Sequence, residues 1–181
     1  MRLLVETGPR LGFSVTIIGE ITIGDRDVNS SRVRELLRRS EVEEVGELLG
    51  RPYCIRGEVV EGDRRGRQLG FPTANLRTDN EVLPANGVYA GEVLFLDPGK
   101  PEAGTRIPTV TNVGLRPTFD DAGGLVAEAH LIDFDGDVYG RRVDLAFCHH
   151  LRGEQKFEGP DALRVQIARD VEIARERLGL R

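Results

Sequence analysis

The stretch LVAEAHLIDFDGDVYGRRVDLAFCHH, residues 125–150, carries the strongest fold signal in the chain. Its second half alternates: Val143, Leu145 and Phe147 point one way and Arg142, Asp144 and Ala146 the other, the period-two pattern of a strand with one face in a core. Its first part, residues 125–134, reads as another strand, and the Asp135-Gly136 pair between the two is a tight-turn signal. Working outward, short apolar strands separated by turn residues recur from residue 53 to about 151. The further candidates are 53–61, 88–96 and 106–113, with a shorter one near 74–76. Such a run predicts a small barrel. One helix follows it. Pro160 and Asp161 suit its first turn, and Leu163, Ile167, Val171, Ala174 and Leu178 form a single apolar stripe. Arg175 and Arg177 sit where cations suit the helix dipole, and Gly179 can stop it.

Residues 1–50 read differently. A strand is expected at 13–18 and a second short one at 20–23. Ser30 or Ser31 can then cap a helix carrying Val33, Leu36 and Leu37. A second helix holds Val42, Val45, Leu48 and Leu49 at helical spacing, and Gly50-Arg51-Pro52 ends it. These pieces bury little surface by themselves, so the segment reads as the end of something larger.

Bulk properties narrow the function classes. With 39% hydrophobic and 30% charged residues, the 181-residue chain has an ordinary globular balance. A net charge of −5 argues against nucleic acid as a partner, because phosphate backbones want a basic surface. No apolar run approaches membrane-spanning length, so no membrane partner is expected. Cys54 and Cys148 are too few for a disulfide framework. The expectation is a cytoplasmic globular protein.

The chemistry concentrates in residues 62–76, GDRRGRQLGFPTANL. Gly62, Gly66 and Gly70 with Arg64, Arg65 and Arg67 make a cationic loop that a phosphate can approach closely. A solvated basic hairpin is the bland alternative, and the spacing is not that of a Walker loop. Directly after it, Pro72 fixes the turn, Thr73 offers a hydroxyl to a hard cation and Asn75 an amide. Those two side chains could equally bond to nearby backbone. Glu128 sits mid-strand among apolar residues, where a carboxylate is costly unless it faces a polar cavity; a solvent-facing glutamate is the ordinary alternative. His130 shares its face and could orient it, or be merely structural. Cys148-His149-His150 looks like a metal cluster in composition only, since neighbours on a strand point to opposite faces. Tyr89, Tyr139 and Phe119 could stack on a planar ligand, with core packing as the default.

Taken in order, the glycine loop with PTAN, GVYA (residues 87–90), TNVGLRPTF (111–119), AEAHLIDFDGDVYG (127–140) and LRGEQKF (151–157) closely resemble the kinase module of the bacterial bifunctional riboflavin kinase/FAD synthetase family. The resemblance implies a mainly β fold, a six-stranded antiparallel Greek-key barrel with a C-terminal helix, preceded by a short α/β remnant. It implies phosphoryl transfer from ATP to riboflavin, giving FMN and ADP, with Mg²⁺ and with no tightly bound prosthetic group. Glu128 would be the catalytic base. Gly62, Gly66, Arg67, Gly70, Pro72, Thr73 and Asn75 would bind ATP and its phosphates, Thr73 and Asn75 also the metal. Arg116, Pro117 and Thr118 would close over the flavin.

Residues 51–181 would be the riboflavin kinase domain. Residues 1–50 resemble the tail of the family's FMN adenylyltransferase module plus a helical linker: Ser30, Ser31 and Arg34 fit its SSTxIR pattern, while Arg32 replaces the threonine. That module's HxGH motif has no counterpart here, all three histidines lying at or beyond position 130, so FAD synthetase activity is expected to be absent. A binding module that holds flavin or nucleotide without turnover is the alternative. A weaker one is an interaction domain docking through the terminal helix and residues 1–50.

Overall fold

In the computed structural model, residues 2–17, 19–62, 65–100, 102–115 and 125–180 are described, the side chains of residues 65, 115 and 125 aside. The chain opens with α1 (Arg2–Thr7), a 3-10 turn (Pro9–Leu11) and a two-stranded ladder of β1 (Thr22–Ile23) and β2 (Arg26–Asp27). Helices α2 (Ser30–Arg38) and α3 (Val42–Leu49) follow. The main body is β3 (Tyr53–Val60), the short helix α4 (Arg65–Gln68), β4 (Thr73–Thr78), β5 (Gly87–Phe95), β6 (Arg106–Leu115), β7 (Leu125–Leu131) and β8 (Arg142–Arg152). Helix α5 (Pro160–Arg177) ends it.

Strands β3 to β8 close into a barrel in the order β3-β4-β7-β6-β5-β8, every pair antiparallel. The predicted six-stranded barrel with its terminal helix is therefore present. Alternation in β8 works as read: Val143, Leu145 and Phe147 are buried in the barrel interior with Ile55, Leu76, Tyr89, Val93 and Ala129. Closure needs one unusual approach between β5 and β8. A Cβ on Gly91 would stand 1.8 Å from the Ala146 carbonyl oxygen, so only glycine permits the register shift found there.

The Asp135-Gly136 pair is not a hairpin turn. Strand β7 pairs with β4 and β6, whereas β8 pairs with β3 and β5, so residues 132–141 cross between non-adjacent strands. The bends sit at Asp133 (φ 55°) and Gly140 (φ 69°), on either side of the pair, and β7 accordingly stops at Leu131 rather than at 134. Arg141 fastens the far end of this crossing. Its Nε and Nη1 donate to Asp97 and Glu102 at 3.1 and 2.6 Å, and its guanidinium lies 4.9 Å from the Phe95 ring centre. The Arg142 backbone N–H, with both guanidinium groups, holds the Asp97 carboxyl below its usual range.

Two expectations for the first 50 residues fail for local reasons. Residues 13–17 are irregular, because a strand needs a ladder partner and none is present among the described residues; Ile18 lies outside them. The cap of α2 is Asn29, whose Oδ1 accepts from the Arg32 N–H at 2.9 Å, and Ser30 is already helical. Leu36, Leu37, Val42, Val45 and Leu48 of α2 and α3 belong to the same apolar cluster as the barrel interior. These two helices therefore help close the barrel core. Helix α5 instead packs Val171 and Ala174 on the outside, against Val88, Ala90 and Val110. No helix among the described residues is long and apolar enough to cross a membrane.

Candidate functional site

The outer face of β4, β7 and β6 assembles the site. Directly paired residues of adjacent antiparallel strands share a face, and the register places two rows side by side. One is Asn75–Glu128–Asn112 and the other Thr73–His130–Val110. Thr73 and Glu128 are therefore diagonal neighbours, about 7–8 Å apart on the standard sheet geometry. Ala74 and Ala129, between them in sequence, and Ala127, next to Glu128, are buried in the barrel core.

This face is one wall of a cavity of about 630 Å³. The opposite wall comes from α5 (Leu163, Ile167, Asp170) and from residues 152–157 after β8, while Gly66, Leu69 and Phe71 of the glycine-rich segment form the rim. Most of the exposed lining surface is apolar, while Thr73, Asn112, Glu128, His130, Arg152, residues 154–156 and Asp170 bring polar groups, a mixture that suits a small-molecule site. A second cavity of about 600 Å³ adjoins it and is lined by Arg67, Pro72, Thr73, Phe134 and residues 135–139. Thr73 lines both.

Of the predicted residues, Gly66, Thr73 and Glu128 line the first cavity and Arg67, Pro72 and Thr73 the second, while Gly62, Gly70 and Asn75 line neither. Gly62 lies against Asn75: a Cβ there would be 2.2 Å from Nδ2. Asn75 is only 4% exposed, and its Oδ1 has no hydrogen-bond partner among the described residues. Gly66 packs on the Phe71 carbonyl and on Thr73, where a Cβ would come within 2.4 and 3.3 Å. Gly70 takes the left-handed conformation (φ 85°) that turns the chain into PTAN. Arg67 and Pro72 line the second cavity. Arg116, Pro117 and Thr118, and Phe119 with them, lie outside the described residues, as do residues 63 and 64 of the glycine loop.

Of the aromatic candidates, Tyr89 resolves as packing and Tyr139 does not. Tyr89 is a core residue whose hydroxyl donates to the Ala85 carbonyl at 2.5 Å and lies 3.0 Å from Ser40 Oγ. Tyr139 is 44% exposed at the second cavity. Among the described residues no group of three or more His, Cys, Asp and Glu is placed to hold a metal ion. Burial pushes the Cys148 thiol up to about 11, so it is not a thiolate near neutral pH.

Sequence reading missed the far wall. Arg152 and Asp170 form a nearly enclosed pair, Nη2 to Oδ2 2.8 Å and Nε to Oδ1 3.0 Å, with Gln166 Nε2 donating to the same carboxylate at 2.9 Å. Asp170 is 2% exposed. In the sequence it stands one residue before Val171 of the α5 stripe and reads as any helical aspartate.

A family model described as riboflavin kinase, or flavokinase, matches residues 49–178. The bifunctional riboflavin kinase/FMN adenylyltransferase of Haemophilus influenzae is 38% identical over 173 residues, covering 96% of this chain and 54% of that protein. Its Escherichia coli K12 counterpart is 40% identical over 178 residues, 98% of this chain and 55% of that one. The chain thus spans about half the length of the curated relatives it matches. Among solved structures, riboflavin kinase from Trypanosoma brucei superposes with a TM-score of 0.52 at 31% identity, over 71% of this chain and 80% of that one. A Streptococcus pneumoniae structure described as a macrolide-efflux protein superposes with a TM-score of 0.77 at 32% identity, over 90% of this chain and 51% of that one.

Proposed function

The chain belongs to the riboflavin kinase family, and we propose that it transfers the γ-phosphoryl group of ATP to the ribityl 5'-hydroxyl of riboflavin, giving FMN and ADP. The observation that carries this reading is Thr73, a wall residue of both cavities and, on one side, the diagonal neighbour of Glu128. A phosphoryl group passing between two ligands needs such a shared boundary. The larger cavity, with Leu69, Phe71, Val88, Val110 and Ile167, suits an isoalloxazine ring whose ribityl end reaches Glu128. The second cavity, with Arg67 beside the glycine segment, suits the nucleotide and its phosphates. Arg116, Pro117 and Thr118 go with the flavin in this proposal.

The donor set fits a hard divalent cation, Mg²⁺ by preference. Thr73 brings a hydroxyl, and Asn75 brings a buried amide oxygen that no described group satisfies. When bound, the ion would neutralise and orient the transferred phosphates. Glu128 orients the flavin hydroxyl and accepts its proton as the oxygen bonds to phosphorus. A carboxylate is far too weak a base to ionise an alcohol beforehand. Most of the acceleration comes from positioning.

A cytoplasmic location is part of this proposal and is compatible with ATP as donor. The division into residues 1–50 and a kinase domain at 51–181 belongs to the same proposal, as does the expectation that residues 1–181 form no FAD from FMN and ATP. FAD appearing in clean protein would overturn that expectation.

A coupled assay separates the enzyme from a binding module. ADP should be released only when riboflavin and Mg-ATP are both present; binding of both without ADP would leave the module. Thr73→Ala is expected to raise the Mg²⁺ concentration for half-maximal rate by about 10-fold or more, the scale for disturbing a metal's surroundings. An unchanged Mg²⁺ dependence would make Thr73 structural.

A further inference from the structure

We propose that His130 is a positioning residue that anchors the glycine-rich segment to the barrel, and so sets the shape of the nucleotide side of the site. The inference rests on the kinase reading above for its kinetic consequences, but its structural basis is independent of turnover. His130 Nδ1 lies 2.9 Å from the Pro72 carbonyl oxygen. A carbonyl only accepts, so the ring carries its proton on Nδ1. The same ring meets Phe71 edge-on, centroids 5.4 Å apart at 85°. One side chain therefore holds two consecutive residues at the joint between the glycine segment and β4.

The grip extends further back. The Phe71 N–H donates to the Gly66 carbonyl at 2.9 Å, and Leu69 N–H donates to the same oxygen at 3.1 Å. Gly66 has no room for a Cβ against the Phe71 carbonyl. The turn Arg65–Gln68 is thus built on Phe71, and Phe71 with Pro72 is built on His130. His130 is also the direct cross-strand partner of Thr73, so the anchor sits beside the residue that lines both cavities. Proline makes this contact informative. Pro72 has no N–H, so its carbonyl is the only hydrogen-bonding group that its own backbone offers.

Two substitutions separate the donor from the ring. His130→Phe keeps the aromatic edge and deletes the Nδ1–H; His130→Asn places an amide N–H close to where Nδ1 stands. In His130→Phe, KM for Mg-ATP should rise by a few-fold up to about 10-fold, the scale of one lost hydrogen bond, and riboflavin affinity should fall with it, because His130, Leu69 and Phe71 also line the larger cavity. His130→Asn should restore KM. Hydrogen exchange at the Phe71 and Leu69 amides should quicken by a similar factor in the phenylalanine variant and recover in the asparagine one. Should His130→Phe fail to fold, His130→Gln, whose amide reaches the Nε2 position instead, serves as the donor-deleted variant. Unaltered exchange and KM overturn the proposal. So does a fall in kcat at constant KM, which would put His130 on the reacting group. If the wild-type chain makes no FMN, the kinase reading fails by itself, and the exchange arm still decides whether His130 anchors the segment.

Discussion

Glu128→Gln is expected to lower kcat for FMN formation by about 10²–10⁴-fold while riboflavin still binds, the usual scale for losing a general base. Glutamine keeps the length and the hydrogen-bonding oxygen, so it can still orient the ribityl hydroxyl; it cannot take the proton. The loss corresponds to about 3–5 kcal/mol of barrier at 1.36 kcal/mol per decade. Glu128 stands in a row with Asn75 and Asn112 on the sheet face, and glutamine matches its volume there. Flavin fluorescence titration gives the binding arm and the ADP-coupled assay the rate arm. A rate within a few-fold of wild type would remove Glu128 from the chemistry and leave positioning and phosphate neutralisation to carry the reaction.

What was legible in the sequence follows from what is local. Six strands were readable as short apolar runs between turn residues, and β8 alternates because Val143, Leu145 and Phe147 face the core; β5 does not alternate over residues 87–91, since α5 covers Val88 and Ala90 on its outer face. Strand partnership is not local. Asp135-Gly136 has the composition of a hairpin turn, yet its flanking strands never touch, and the real bends lie at Asp133 and Gly140. The expected strand at 13–18 fails for the converse reason: residues with strand character make no strand without a partner. Asn29 and Ser30 are both good caps, and only the backbone geometry distinguishes them.

The site divides in the same way. Thr73, Asn75, Glu128 and His130 lie within short segments whose pairing follows once β4 and β7 are neighbours, so their shared face could be anticipated. The second wall comes from α5 and residues 152–157, more than twenty residues further along the chain than Glu128 or His130. Its polar pair gives no periodic signal. Asp170 is indistinguishable in sequence from a solvent-facing helical aspartate, and only the packing of Val171 and Ala174 against the barrel turns it inward.

That buried position makes Asp170→Ala the largest stability change expected. The pair with Arg152 has side-chain exposures of 2% and 16%, and the carboxylate is further held by Gln166. Removing one partner of such a pair leaves the other charged group desolvated, which costs about 3–5 kcal/mol. A small domain has about 5–15 kcal/mol in total, so the variant should unfold at a markedly lower urea midpoint. Both residues line the larger cavity, so riboflavin affinity should fall as well. Deleting both charges together tests the cause. Asp170→Leu combined with Arg152→Met should recover most of the stability, because similar apolar volume replaces an ion pair that had itself been desolvated. Recovery of folding without recovery of flavin binding would assign the pair to the ligand. Recovery of both would make it a packing device that fastens α5 over the sheet. A single-variant loss below about 1 kcal/mol, the range of an exposed pair, would show that water reaches the carboxylate despite its burial.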